Sequence, residues 1–589
     1  LDPMRKGAVR DFIASTYDAY AERCGRDFGG LIPAIFTDEP NIHYQPGGWG
    51  VPADYIPWTE RMPEEFAKRR GYDLMECLPE AVFPSGSGVF SKVRHDLWRT
   101  ATELFVEHFS AQIGRWCGRH GIALTGHMLA EGSLAAQIGA AGACMPHYRH
   151  MQWPGIDNLR DQARELITAK QCSSVADQFG KERMLSELYG CTGWDWPLEG
   201  HKFIGDWQAA CGVNLRCPHL THYSLAGGAK RDYPASIFSH SPWWRHYAAV
   251  EDYFARLSLL LTRGKPVRDV LLLHPVESAW GLYLANASTR SGEVEALNES
   301  LTRIMYALSG EHYDWDFGDE SILDDRGKIV RDELRVGRMA YRLVVVPPCH
   351  SLRASTVRLL ESFLEAGGRV MFVGRKPALV DAEPGNDALG ALLEKADGCE
   401  DDEEGFVAGL QSALERRVSI SEGGREQRCI WTMLRRVRSS DLGGLGGGQL
   451  LFMQSHDRRE DREVRVSVAG RGPVVLWDLR TGERLRLKSQ SAPGRIEFDL
   501  RLPPTGSALV SLGVPSRGAA APTRPPRVAS ADSIDGRYAI ERTEANTLPL
   551  DYCRFRLGEE PFSDLVPTLK ADALIRSRFG LGDRLGRGH

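Results

Sequence analysis

The stretch Leu31–Pro40, LIPAIFTDEP, decides the fold. An apolar run rich in β-formers stops at two adjacent carboxylates, Asp38 and Glu39, and Pro40 then denies a ladder its next N–H donor. A buried parallel strand presents acids in this way at its carboxyl end. In α/β barrels the chemistry sits at that end, on the loops that follow the strands.

Outward from this strand the same α-then-β unit recurs. Apolar residues at helical spacing (Val9, Phe12, Ile13, Tyr17, Tyr20) predict a helix over Pro3 to Arg26, closed by Gly29-Gly30 before the strand. A second helix over Ser91 to His120 leads into a strand at Ile122 to His127. A third, around Gln162 to Phe179, leads into Arg183 to Ser186, which ends at Glu187. A fourth, around Phe203 to Cys211, leads to Gly212-Val213-Asn214, and the segment His219 to Leu225 reads as the next strand. Alternating α and β units with polar residues at strand ends predict a (β/α)8-type barrel. About five of its eight strands can be counted, and the rest are expected before Leu1.

Beyond a helix over Trp243 to Arg263 the texture changes. Val267 to His274, Arg342 to Val346 and Arg369 to Val373 are continuous apolar strands, with a helix at Val357 to Ala366 ended by Gly367-Gly368. They predict a flavodoxin-like α/β domain without GxGxxG or phosphate loop, hence no organic cofactor. From Arg428 short alternating strands follow (Gln449 to Gln454, Arg462 to Val468, Val474 to Asp478, Arg495 to Leu500, Ala508 to Leu512), the pattern of an antiparallel β-sandwich. The expected division is therefore a barrel-like catalytic domain over 1–263, incomplete at its start, an α/β domain over 264–420, a sandwich over 421–515, and a linker with a partial C-terminal segment over 516–589.

Composition narrows the function classes. The 589 residues give room for a large core, and a formal net charge of -5 argues against nucleic acid as partner. No run of about 18 apolar residues suggests a membrane span. Twelve scattered cysteines without a CxxC pair read as reduced thiols. The compartment, cytoplasmic or exported, and the oligomeric state stay open.

Three glutamates follow predicted barrel strands: Glu39, Glu131 and Glu187. Glycoside hydrolysis needs two carboxyl groups facing one sugar, one protonated and one ionised, and burial among like charges keeps one of them neutral. Around them Asp38, His127, Tyr189, Trp194, Asn214, His219, His222, Tyr223, Trp243 and Trp244, with His43 and Trp49, supply the rings and hydrogen-bonding groups that a sugar's C–H faces and hydroxyls require. His127 and Glu131 form no HExxH motif, and no GxSxG elbow occurs. Asp38, Asp157 and Asp195 offer oxygens of the kind calcium takes, without an EF-hand loop.

The series FTDEP, GHMLAEG, SELYGCTGWDW, GVNLRCPHLTHYSLAGGAKRDYPASIFSHSPWW and DVLLLHPVESAW resembles bacterial glycosyl hydrolases related to the α-L-rhamnosidases of glycoside hydrolase family 106. The resemblance spans about Leu1 to Trp280, and WDLRTGE and LPPTGSALVSLG resemble the family more loosely. It implies a barrel with accessory α/β and sandwich domains, cleaving a terminal sugar of an oligo- or polysaccharide by an inverting, calcium-assisted route. It further implies that Glu39 matches the general acid and Glu187 the base, with Glu131 competing for the base or for a metal or sugar contact. A retaining β-galactosidase-like enzyme and a carbohydrate-binding protein without turnover are the alternatives.

Overall fold

The computed structural model describes residues 1–42, 56–84, 89–284 apart from 162, 164, 227 and 228, 292–515, 518–520, 539, 541 and 552–582. His43 and Trp49 lie outside the described residues.

Five parallel strands form the N-terminal arc: β1 (Ala34–Thr37), β2 (Ala123–Gly126), β3 (Gly155–Asn158), β4 (Leu185–Leu188) and β5 (Leu215–Pro218). β1 pairs with β2, and β3, β4 and β5 pair in that order. The two groups adjoin through the Trp153 N–H donating to the Leu124 carbonyl at 3.1 Å. Helices precede the strands: Lys92–Phe105 continues through a π turn into Ala111–Arg119, then come Leu166–Phe179 and Leu198–Cys211. Ser91 caps the first of these by accepting from the Arg94 N–H at 3.2 Å, and Gly180 ends the Leu166 helix in the left-handed region.

Two expectations are corrected here. The last strand is Leu215–Pro218, and His219 to Leu225 is not a strand. The Arg216 guanidinium lies 4.0 Å from the Phe254 ring centroid and pairs with Glu251 at 2.6 Å, so a residue that reads as polar belongs to the strand's packing. β1 is not buried on both sides. Phe36 is 38% exposed, and a cavity of about 680 Å³ lined by Tyr17, Tyr20, Ile35 and Phe36 runs along it.

β1 and β2 approach closely because of Gly126. Its φ is +124°, and a Cβ there would stand 2.0 Å from the Thr37 carbonyl oxygen.

The second sheet is parallel, with strands in the order Asp397–Cys399, Arg369–Val373, Leu343–Val346, Val270–Leu273, Trp315–Gly318. Chain order across it is that of a flavodoxin-like sheet. The helix Glu293–Gly310 and the strand Trp315–Gly318 belong to it as well. Two antiparallel sheets follow, one of five strands and one of six, enclosing a core of Val464, Val466, Phe498, Val510 and neighbours. The six-stranded sheet takes Lys265–Pro266 as its edge, paired with Arg435 and Arg436 of Ile430–Val437. All twelve cysteines are free thiols. Among the described residues no helix is long and apolar enough to cross a membrane.

Candidate active site

The carboxyl ends of β1 to β4 converge. Thr37 pairs with Gly126 as the last register step of β1 and β2, so Asp38 and His127 leave the two strands side by side. Asp157 of β3 pairs directly with Glu187 of β4. The His127 ring is fully buried, and its Nε2 donates to Glu187 Oε2 at 2.8 Å and lies 3.3 Å from Asp38 Oδ1. His219, just past β5, brings its Nε2 to 3.5 Å from Glu187 Oε1.

The electrostatics follow from this packing. Burial works against a charged His127, but hydrogen bonds to Asp38 and Glu187, with Glu131 and Asp157 nearby, hold its pKa well above the ordinary value. The same hydrogen bond holds Asp38 below the usual carboxylate range. Burial drops the pKa of His219. The sequence offers Asp157 only as a calcium oxygen, not as a member of the acid cluster. Burial, then the charges of Glu187, Glu131 and Glu39, lift its pKa to about 8, against the pull of His127. Asp157 sits inside GIDN, where nothing local distinguishes it from a strand acid, and its partner becomes visible only through register.

Glu131 stands behind the cluster. It is buried, accepts from Met128 N–H at 3.2 Å and Asp157 N–H at 3.1 Å, and takes a short hydrogen bond from the Tyr148 hydroxyl. Burial raises its pKa to about 7. Its oxygens are thus committed to holding the turn after β2 and the strand β3.

The backbone at these strand ends is strained. Glu39, Arg160 and Tyr189, each one or two residues past a strand, have φ values of 44°, 66° and 76°. Such conformations cost of order 1–3 kcal/mol each and persist where surrounding structure imposes them. At Glu39 the Asn41 side-chain amide helps by donating to the Glu39 carbonyl at 2.9 Å.

Asn214 lies away from the cluster, and several other expected sugar contacts are engaged by the protein itself. Asn214 stands at the amino end of β5, donating to the Glu182 carbonyl at 3.0 Å and accepting from Met184 N–H at 3.0 Å, at the opposite end from the cluster. Tyr189 is fully buried, with its hydroxyl donating to the His201 carbonyl at 2.9 Å and accepting from Arg216 at 3.1 Å. Trp243 joins that core through the His201 ring at 5.0 Å. Tyr223 projects fully into solvent, and Trp244 is partly exposed, stacked on Tyr247. His222 donates to the Asp232 carbonyl at 2.9 Å, and Trp194 donates to the Lys230 carbonyl at 2.9 Å. These last two pin the loop after β5.

The chain belongs to the α-L-rhamnosidase family, glycoside hydrolase family 106, whose family model matches residues 1–396. A curated relative named "Putative beta-glucuronidase", of Formosa agariphila, is 25% identical over 332 residues, 54% of this chain and 26% of its own. A rhamnosidase from Novosphingobium sp. PP1Y superposes with a TM-score of 0.67 at 16% identity, over 90% of this chain and 50% of that one. A β-galactosidase from Rahnella sp. R3 superposes with a TM-score of 0.57 at 11% identity, over 87% of this chain and 82% of its own. These likenesses establish a glycosidase-type α/β fold. The chain spans 26% of the curated relative and 50% of the rhamnosidase structure.

Proposed function

We propose that this chain carries the active site of a glycoside hydrolase that releases a terminal sugar, α-L-rhamnoside first. The observation behind this reading is the meeting of Asp38, Glu187 and Asp157 around the buried His127 ring at the carboxyl ends of neighbouring strands. Glu187, held by a charge-assisted hydrogen bond from His127, is the base that takes a proton from water. Glu39 protonates the leaving glycosidic oxygen as positive charge develops on the sugar ring. Asp157 is a poor choice for that acid. It pairs with Glu187 on strands about 4.8 Å apart, and inversion needs about 6.5–9.5 Å between carboxyl groups to admit water. Protonated, Asp157 serves instead as a neutral neighbour to Glu187.

Calcium belongs to the same proposal. It takes about six to eight oxygens. Asp38 and Glu187 bring carboxylate oxygens together with the His127 nitrogen within 4.8 Å of one another, and Asp38, which is neither the acid nor the base, would hold the ion with oxygens of the sugar and water. Bound there, it would supply positive charge for sugar hydroxyls. The proton movements above do not pass through it.

The test is hydrolysis of an aryl α-L-rhamnoside followed by proton NMR of the first product. The β-anomer supports inversion, the α-anomer assigns a retaining route, and saturable sugar binding without release would leave a binding protein.

A further inference from the structure

A second cavity, of about 710 Å³, opens at the other end of the strands, where all three layers of the molecule meet. Met184, Gly212 and Asn214, which precede β4 and β5, line it together with Asp269 from the α/β sheet and Met433, Arg435 and Arg436 from the sandwich. Nine cationic and five acidic side chains surround it.

The acids are all paired. Asp177 binds Arg268, Asp269 binds Arg417, Asp441 pairs with Arg438 at 3.3 Å, Glu333 with Arg335 at 3.2 Å and Glu182 with Arg183 at 3.8 Å. By contrast Lys181, Arg263, Lys265, Arg338, Arg435 and Arg436 have no ion pair among the described residues. Most of these form an exposed rim, but Arg435 is only 8% exposed. Its guanidinium donates to the carbonyls of Arg263 at 2.8 Å and Gly264 at 3.2 Å and meets no carboxylate among the described residues. Burial pulls its pKa down to about 10, against the more distant charges of Asp177 and Asp314. Arg268, 2% exposed, is already met by Asp177, Asp314 and Asp316, so Arg435 is the buried cation here that lacks a paired acid. Buried cations need compensation, and a planar guanidinium matches an oxyanion better than it matches carbonyls alone.

We propose that this cavity binds a doubly charged oxyanion, a sulfate or phosphate group, held between the barrel-like arc, the α/β sheet and the sandwich. Binding there ties the three layers together by neutralising the unpaired cations. It is remote from the Glu187 cluster and takes no part in proton transfer.

Thermal melts of the whole chain test this. Inorganic phosphate, inorganic sulfate and a monosaccharide sulfate are compared with chloride at equal ionic strength, in the protein, in Arg435→Met, and in the rim variant Arg338→Ser/Arg436→Ser. A ligand at ten times its dissociation constant should raise Tm by about 1 °C in the unaltered chain. That rise should be lost in both variants. The rim positions are exposed, so the double variant keeps the test valid even if Arg435→Met fails to fold. A rise with inorganic ions assigns the site to a free anion, and a rise with the sugar sulfate alone assigns it to a saccharide-borne group. No rise beyond chloride, or an equal rise in the chain and the rim variant, overturns the proposal, since sulfate stabilises proteins generally by exclusion.

Discussion

Asp157 and Glu187 stand in register on neighbouring parallel strands and point their carboxyl groups to one face, with one pKa lifted to about 8. The lifted group is the buried one next to three other acids, so at neutral pH a protonated carboxyl lies beside Glu187. Stability should carry the mark of that arrangement. The folded chain keeps the Asp157 proton between about pH 4 and 8, a range over which the unfolded chain has lost it, so this group's contribution falls as pH rises. In Asp157→Asn this slope disappears. Urea midpoints at pH 5 and pH 8.5 should show the variant gaining on the original chain at the higher pH; parallel profiles would contradict the assignment.

His127 acts in the same direction on a separate group. Its contribution is complete below about pH 6.5 and is lost as pH climbs through its raised folded pKa. His127→Ala leaves Glu187 and Asp38 without their shared donor, and breaking such a buried pair costs about 3–5 kcal/mol. Chemical denaturation at pH 6 measures this, and a loss below 1 kcal/mol would mean the pair is effectively solvated.

Turnover should depend on Glu187 and Glu39. Glu187→Gln and Glu39→Gln should each lose about 10²–10⁴-fold in kcat on an aryl rhamnoside, with folding intact by circular dichroism. Unaltered rates in both would remove the acid and base roles.

Gly126 sets the spacing on which Asp38 and His127 depend. In Gly126→Ala a Cβ would stand 2.0 Å from the Thr37 oxygen at a φ of +124°, so β1 and β2 must part. A destabilisation of at least about 1–3 kcal/mol is expected, together with weakened hydrolysis. A variant with unchanged stability would show that the strands can slide.

Calcium held at Asp38 should raise Tm, and a chelator should reverse the gain. Asp38→Asn should abolish the response. A melting curve indifferent to calcium would remove the ion from the reading.

The strands β1, β2 and β4 are legible because each is a short apolar run ending at polar residues, and Arg369–Val373 matches its reading to the residue, whereas β3, the four residues GIDN with one apolar side chain, carries no such run. Failures came where a polar residue is neutralised by a distant one. Arg216 hides β5 because its charge is met by Glu251 and its plane by Phe254. Asp316 hides the strand Trp315–Gly318 in the same way, since Arg268 meets it at 2.5 Å inside the core. The helix Glu293–Gly310 carries an ordinary buried stripe of Leu297, Leu301, Ile304 and Leu308, so its signal was present in the sequence. Of the site, the acids at strand ends could be read locally. Tyr189 and Trp243 could not, because aromatic rings serve a core as readily as a sugar.

Lys265 and Pro266 pair with strand residues about 170 positions later in the chain. The six-stranded sheet therefore cannot finish its edge from its own segment, and its assembly waits on a loop closure of that length, the kind of event that slows folding. A fragment beginning at Val418 would present Ile430–Val437 as an open edge, ready to recruit another chain. Expression of the sandwich alone should thus yield aggregates unless residues 265–266 travel with it.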